Sequence, residues 1–193
     1  MITNDRQYRA FEVRANEAER RVEGYAAIFN SATVMYEWDG VQYKESIDAR
    51  AFNETQMADV VMNYNHTGKP VARTKNGTLA LTVDNVGLKI SADLSGTEEG
   101  RRLYEEIKGG YIDKMSFAFT VSAEEYNRDT RTRTITGIKR LFDVAAVDIP
   151  AYDATSISAR SFYSAEAERE AAEAAKRERQ KEKIKILMEV MKK

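Results

Sequence analysis

Between Asp153 and Ser164 the chain changes character, and no single kind of fold suits both sides of the change. All ten glycines and both prolines lie before it, among short runs that alternate apolar and polar residues. From Ser164 the sequence reads SAEAEREAAEAAKRERQKEKIKILMEVMKK, with no Gly, Pro or aromatic residue and strong helix formers throughout. The intervening DATSISARSFYS is rich in Ser and small residues and reads as a linker. With 193 residues there is room for one domain with a sizeable core plus an appendage. The expected division is a core domain over residues 1–160 and a helical tail over 161–193.

Within the core region, RRVEGYAAIFN (20–30) and VQYKESI (41–47) have the β-branched and aromatic content of strands. DARAFNETQMA (48–58) reads as a short helix capped by Asp48. DVVMNYNH is a third strand, and TLALTV and LKISADL flank a hairpin signal at Asp84-Asn85-Val86-Gly87. SGTEEGRRLYEEIKGG (95–110) is a helix with Ser95 or Thr97 as cap, acids in its first turn and glycines at its end. DKMSFAFTVSAEEYN is a strand, and RTRTITGIKRLFDVAAVDIP holds one or two more. The expected fold is α+β: a bent antiparallel β-barrel core with a few helices, plus a C-terminal charged helix.

Lys and Arg total 30 against 31 Asp and Glu, a net charge of -1, so no field of one sign steers the chain to nucleic acid or anionic lipid. Neither nucleic acid nor membrane is expected as a partner. The absence of cysteine excludes disulfides, thiolate catalysis and Cys-ligated metal sites, and fits a reducing compartment. The polar start MITNDRQYRAFEVRA has no apolar h-region, so no signal peptide is expected, and the apolar runs are too short to cross a bilayer. A soluble intracellular chain is the expectation.

His66 is the lone histidine, and it sits where the run VVMNY gives way to the turn residues Thr, Gly, Lys and Pro. It is the single side chain here whose ordinary titration falls near neutrality. Ser116, in the apolar strand KMSFAFTV, is a candidate nucleophile only if a base takes its proton, because a serine hydroxyl is almost never ionised at neutral pH. Asp143 lies among apolar residues in LFDVAAVDIPAYDA, where a carboxylate needs a partner. An acid, an imidazole and a hydroxyl are the elements of a nucleophilic triad. Asp148, five residues on and on the opposite strand face, is the alternative acid. One histidine and no cysteine leave no expected metal site or cofactor. Arg73 in PVART could support an oxyanion or substrate carbonyl, or be a solvated surface residue.

The wording around these residues resembles the prohead maturation serine proteases of tailed bacteriophages, whose fold is similar to the herpesvirus assembly proteases. VEGYAAIFN resembles the family's opening strand, IDARAF its G/A-x-F segment, and VVMNYNH followed by PVAR its histidine block. DNVGL matches the D-x-x-G-L hairpin, and GGYIDKMSFAF the nucleophile strand. The segment from Asp143 to Ala151 is similar to the family's E-V-S-x-V-x-x-P-A, with Asp for its Glu and Ala145 for its Ser. The blocks run in order from about Val22 to Ala154. The resemblance implies an endopeptidase with Ser116 as nucleophile, His66 as general base and Asp143 as the orienting acid, whose distance from Pro150 fits the motif. It implies capsid or scaffold protein as substrate and partner, possible self-association, and action in the host cytoplasm inside the immature prohead. The rival reading is a non-catalytic scaffold or assembly protein that keeps the protease fold.

In the tail, charges recur at i,i+3 and i,i+4 without an apolar stripe until IKILMEVM (184–191), so a solvated single helix with a partner-binding end is expected. The resemblance implies a tail that targets the capsid or scaffold and is later removed, with autocleavage expected between about Ala154 and Ala167.

Overall fold

The computed structural model describes residues 7–16, 20–148 and 157–190. Ten strands and two α-helices are described. In chain order they are β1 (Gln7–Asn16), β2 (Arg21–Ile28), β3 (Thr33–Trp38), β4 (Val41–Ile47), β5 (Val61–Tyr64), β6 (Thr67–Arg73), β7 (Leu79–Val83), β8 (Gly87–Asp93), α1 (Glu98–Lys108), β9 (Lys114–Asn127), β10 (Thr132–Val147) and α2 (Ile157–Val190).

The antiparallel pair β9–β10 is the spine. It aligns Thr132 with Asn127 at one end and Val147 with Lys114 at the other, with several register shifts between that bend it. The other edge of β10 carries two short parallel strands in succession: β4 beside Thr132–Ile135 and β5 beside Asp143–Ala146. The far edge of β9 carries β1, which pairs with it through Gln7–Glu12 and then changes partner. From Val13 to Asn16 it pairs with β2 instead, and β2 continues to β8 and β7. One strand shared between two sheets gives the architecture its bend.

The main core fills the concave side of this bend. Met115, Phe117 and Phe119 alternate inward from β9, Val144 and Ala146 from β10, and Leu88, Ile90 and Ala92 from β8. Helix α1 closes it with Leu103, Tyr104 and Ile107, which recur at helical spacing. Its start is set by Thr97, whose side chain accepts from the Gly100 amide at 2.9 Å, with Glu98 and Glu99 in the first turn. Gly87 has to be glycine for a different reason: a Cβ there would lie 1.8 Å from the Ala27 carbonyl oxygen on the neighbouring strand.

Three expectations are corrected. The α+β class holds, but the strand path runs from β3 to β7 as an open sheet, with β5 and β6 branching from β10, so the barrel is not closed. Nor is the sheet wholly antiparallel, since β4 and β5 lie parallel to β10. The segment from Asp48 to Ala58 is a chain of tight turns rather than a helix. Its groups form i,i+3 bonds (Ala51 to Asp48, Asn53 to Arg50, Thr55 to Phe52), and the others bond across to β10. Ile138 donates to the Ala51 carbonyl and Gln56 donates to that of Lys139, which removes the partners an α-helix would need. Asp48 accepts from the Arg50 amide at 2.8 Å and from the Arg50 guanidinium, rather than capping a helix.

The third correction concerns the linker. Residues 153–156 lie outside the described residues, but from Ile157 the segment is already helical. Its first turns are anchored: Tyr163 and Ala167 are buried against Met35 and Tyr43, and the Tyr163 hydroxyl donates to the Lys44 carbonyl at 3.1 Å. From Ala171 to Met188 the helix is exposed, about 27 Å of it at 1.5 Å per residue.

Beneath that anchor lies a buried ion cluster. Arg133 on β10 donates to Glu45 on β4 at 2.9 Å and to Glu124 on β9, and its guanidinium sits 5.2 Å from the centre of the Phe162 ring. Arg133→Ala would leave carboxylates buried without their cation, so we expect a loss of about 3–5 kcal/mol in urea unfolding. A change below 1 kcal/mol would mean the cluster is solvated in solution.

Candidate active site

The hairpin that carries His66 joins β5 to β6 through two residues, Asn65 and His66, between the paired Tyr64 and Thr67. Both have positive φ, 48° and 58°, as a tight hairpin turn of this hand requires. Such turns favour Asn first and Gly second. A branched ring in the second position is held in a left-handed conformation at a cost of order 1 kcal/mol. The turn is tied to β10, with the Asn65 amide donating to the Ala146 carbonyl at 2.9 Å and Asn65 Oδ1 accepting from the Asp148 amide at 3.3 Å.

Strand register determines what that side chain meets. Asn63 of β5, Ala145 of β10 and Ser116 of β9 form one row across three strands, and the next row is Val61, Asp143 and Ala118. Cross-strand partners project to the same face. The face is the one turned away from the main core, because Met62, Val144 and Phe117 occupy the core side. Ser116, Asp143 and Asn63 are all buried there, at 1%, 6% and 7% exposure.

The structure brings His66 and Asp143 into contact, with Nδ1 2.5 Å from Oδ1 and side chains 17% and 8% exposed. An ionised carboxylate can only accept, so in a neutral imidazole Nδ1 would carry the hydrogen and the lone pair would fall on Nε2. The Ser116 hydroxyl, one strand over from Asp143 and diagonal to it, is buried without a hydrogen-bond partner. Asp148 is placed elsewhere: it is exposed and accepts from the Tyr64 hydroxyl at 2.8 Å, a bond that raises the Tyr64 pKa. Arg73 is held by Asp59 through two 2.7 Å bonds, Nε to Oδ1 and Nη2 to Oδ2. The same bonds lower the Asp59 pKa, and with its fork filled Arg73 is not poised for an oxyanion.

A groove of about 730 Å³ opens beside the hairpin, between β6 and α1. Val71, Leu103 and Ile112 form its apolar floor, Tyr64 and Asp148 one wall, and Tyr111 its mouth. Tyr111 is 83% exposed. Reading the sequence did not point to this groove or to Asn63. The helix itself was legible from its cap, first-turn acids and closing glycines, but which strand it would face was not.

The chain matches the caudovirus prohead serine protease family over residues 9–188, and it belongs to that family. No curated protein and no solved structure gives a match.

The strained turn can be tested apart from any activity. His66→Ala and His66→Gly both lose the imidazole, but only Gly adopts φ near 58° freely. We expect the Gly variant to be about 1 kcal/mol more stable than the Ala variant in urea unfolding. Equal stabilities would show that the turn is not left-handed at residue 66.

Proposed function

We propose that the chain is a serine endopeptidase of prohead maturation, working by acyl transfer with Ser116 as nucleophile, His66 as general base and Asp143 as the acid that orients it. The observation that carries this reading is the 2.5 Å contact between His66 and Asp143 on the sheet face that holds the unpartnered Ser116 hydroxyl. Family membership supports a protease role in capsid maturation.

The chemistry follows from the residue types. Asp143 fixes the imidazole tautomer and stabilises the cation formed when Nε2 takes the Ser116 proton. The resulting alkoxide attacks a peptide carbonyl, and the protonated imidazole then returns its proton to the departing amine. Ser116 is 1% exposed, so a peptide reaches it only when groups packed over this face shift. The groove between β6 and α1 would take flanking substrate residues, and its apolar floor suits an extended segment with one bulky side chain.

Capsid or scaffold protein is the substrate class and partner that family membership favours, inside the immature prohead. Removal of the tail would need α2 to unwind, since residues 157–167 are helical and Tyr163 and Ala167 are buried. A cut in the exposed stretch beyond Glu170 meets less resistance from packing than one in the anchored turns.

Two substitutions separate the acids. Asp143→Asn is expected to lower the rate of capsid or scaffold cleavage by roughly 10⁴-fold, and Asp148→Asn by less than tenfold. The reverse ranking would move the role to Asp148. For the groove, Tyr111→Ala is expected to raise KM with little change in kcat, because an exposed side chain at the mouth binds substrate without touching the reacting atoms. Unchanged KM would place the substrate path elsewhere.

A further inference from the structure

Asn63 is a polar residue that neither the fold nor the three residues of the proposed mechanism explain. It lies in the middle of β5, 7% exposed, and its Oδ1 is buried without a hydrogen-bond partner. A buried amide oxygen left unsatisfied is costly, and an apolar residue of the same size would serve β5 better if packing were the whole requirement. Its neighbour Met62 is apolar and fully buried on the core side. Asn63 faces the other side, in the row it shares with Ala145 and Ser116.

The spacing of that row is informative. Two strand separations put the Asn63 and Ser116 Cα atoms roughly 10 Å apart. Ala145 between them contributes a single methyl. An Asn side chain and a Ser side chain on that row can together span the separation with a tetrahedral carbon on Oγ whose oxygen bonds to an amide N–H.

We propose that the Asn63 side-chain amide is an oxyanion donor for acyl transfer at Ser116, an inference that rests on the nucleophile assignment made above. As Oγ bonds to the carbonyl carbon, the C=O π pair moves onto oxygen and the hydroxyl proton passes to His66. The Asn63 amide nitrogen donates to that oxygen while the charge is on it. Collapse re-forms the C=O bond, expels the leaving group with its bonding pair, and leaves Ser116 acylated. Which end of the Asn63 amide faces the oxygen is settled by the bond it makes, because the two ends are interchangeable by a half-turn about χ2.

The test uses the full chain and hydrolysis of p-nitrophenyl acetate, with Ser116→Ala as the baseline. Asn63→Leu keeps the volume and removes the donor, so kcat is expected to fall by roughly 10²–10³ while KM stays within about threefold. Circular dichroism and thermal unfolding verify the fold, and the loss of an unsatisfied amide should leave the Leu variant no less stable. If Leu is not accommodated, Asn63→Ser keeps a small polar residue that cannot reach as far, and the same loss in kcat is expected. Turnover that depends on Ser116 but is within threefold of normal in the folded Asn63 variant overturns the oxyanion role and leaves the nucleophile assignment standing. A fall confined to KM also overturns it. Absence of any Ser116-dependent turnover in the unaltered chain overturns both.

Discussion

The parallel pairing of β5 with the last part of β10 is the constraint on which the site depends. It aligns Val61 with Asp143 and Asn63 with Ala145, and β9 on the other side aligns Ser116 with Ala145. Every polar group of interest on this face is placed by those two registers. A slip of one residue in either would turn its set of side chains into the main core, where Phe117, Met62 and Val144 now pack. The apolar core therefore fixes the polar face, since burying Phe117 and Val144 on one side forces Ser116 and Asp143 to the other. The apolar core and the proposed site are coupled through the alternation of the strand.

The hairpin works against this background. Its two-residue turn returns the chain at His66, and the left-handed conformation there is maintained by the Asn65 bonds to Ala146 and Asp148 and by the Asp143 contact. At this position glycine would be easier for the backbone, and a histidine is tolerable only because the surroundings over-determine it. The second parallel partner of β10 has a different task. At β4 the Arg133 cluster and the Tyr163 bond to Lys44 tie the start of α2 to the sheet, far along the strand from Asp143. The long helix is thus rooted in the core at one end while its remaining length is open to solvent.

Local features were legible in the sequence wherever local chemistry decides the structure. Thr97 caps α1, the hairpin at Asp84 forms as its residues suggest, and β4 spans Val41–Ile47 as the alternation indicates. His66, Ser116 and Asp143 stood out as residue types in a telling order, and the spacing to Pro150 favoured Asp143 over Asp148. What alternation could not supply was register between strands far apart in sequence, so the row of Asn63, Ala145 and Ser116 was invisible. The turns after Asp48 were misread because helix-forming residues there lose their backbone partners to β10. The linker was misread for a related reason: Ser-rich composition suggested irregular chain, but Phe162 and Tyr163 bury one face and stabilise the helix from outside. Asp39-Gly40, with φ of 50° and 73°, was a hairpin signal that went unused, and with it β3.

The central claim is that Ser116 is a nucleophile because His66, held by Asp143, can take its proton. The most direct measurement is covalent labelling by a fluorophosphonate, read by intact mass and located by peptide mapping, on the unaltered chain and on His66→Ala. The account predicts one adduct, on the peptide containing Ser116, formed by the unaltered chain and not by the variant. Labelling of another residue, or equal labelling of Ser116 without the imidazole, would contradict it.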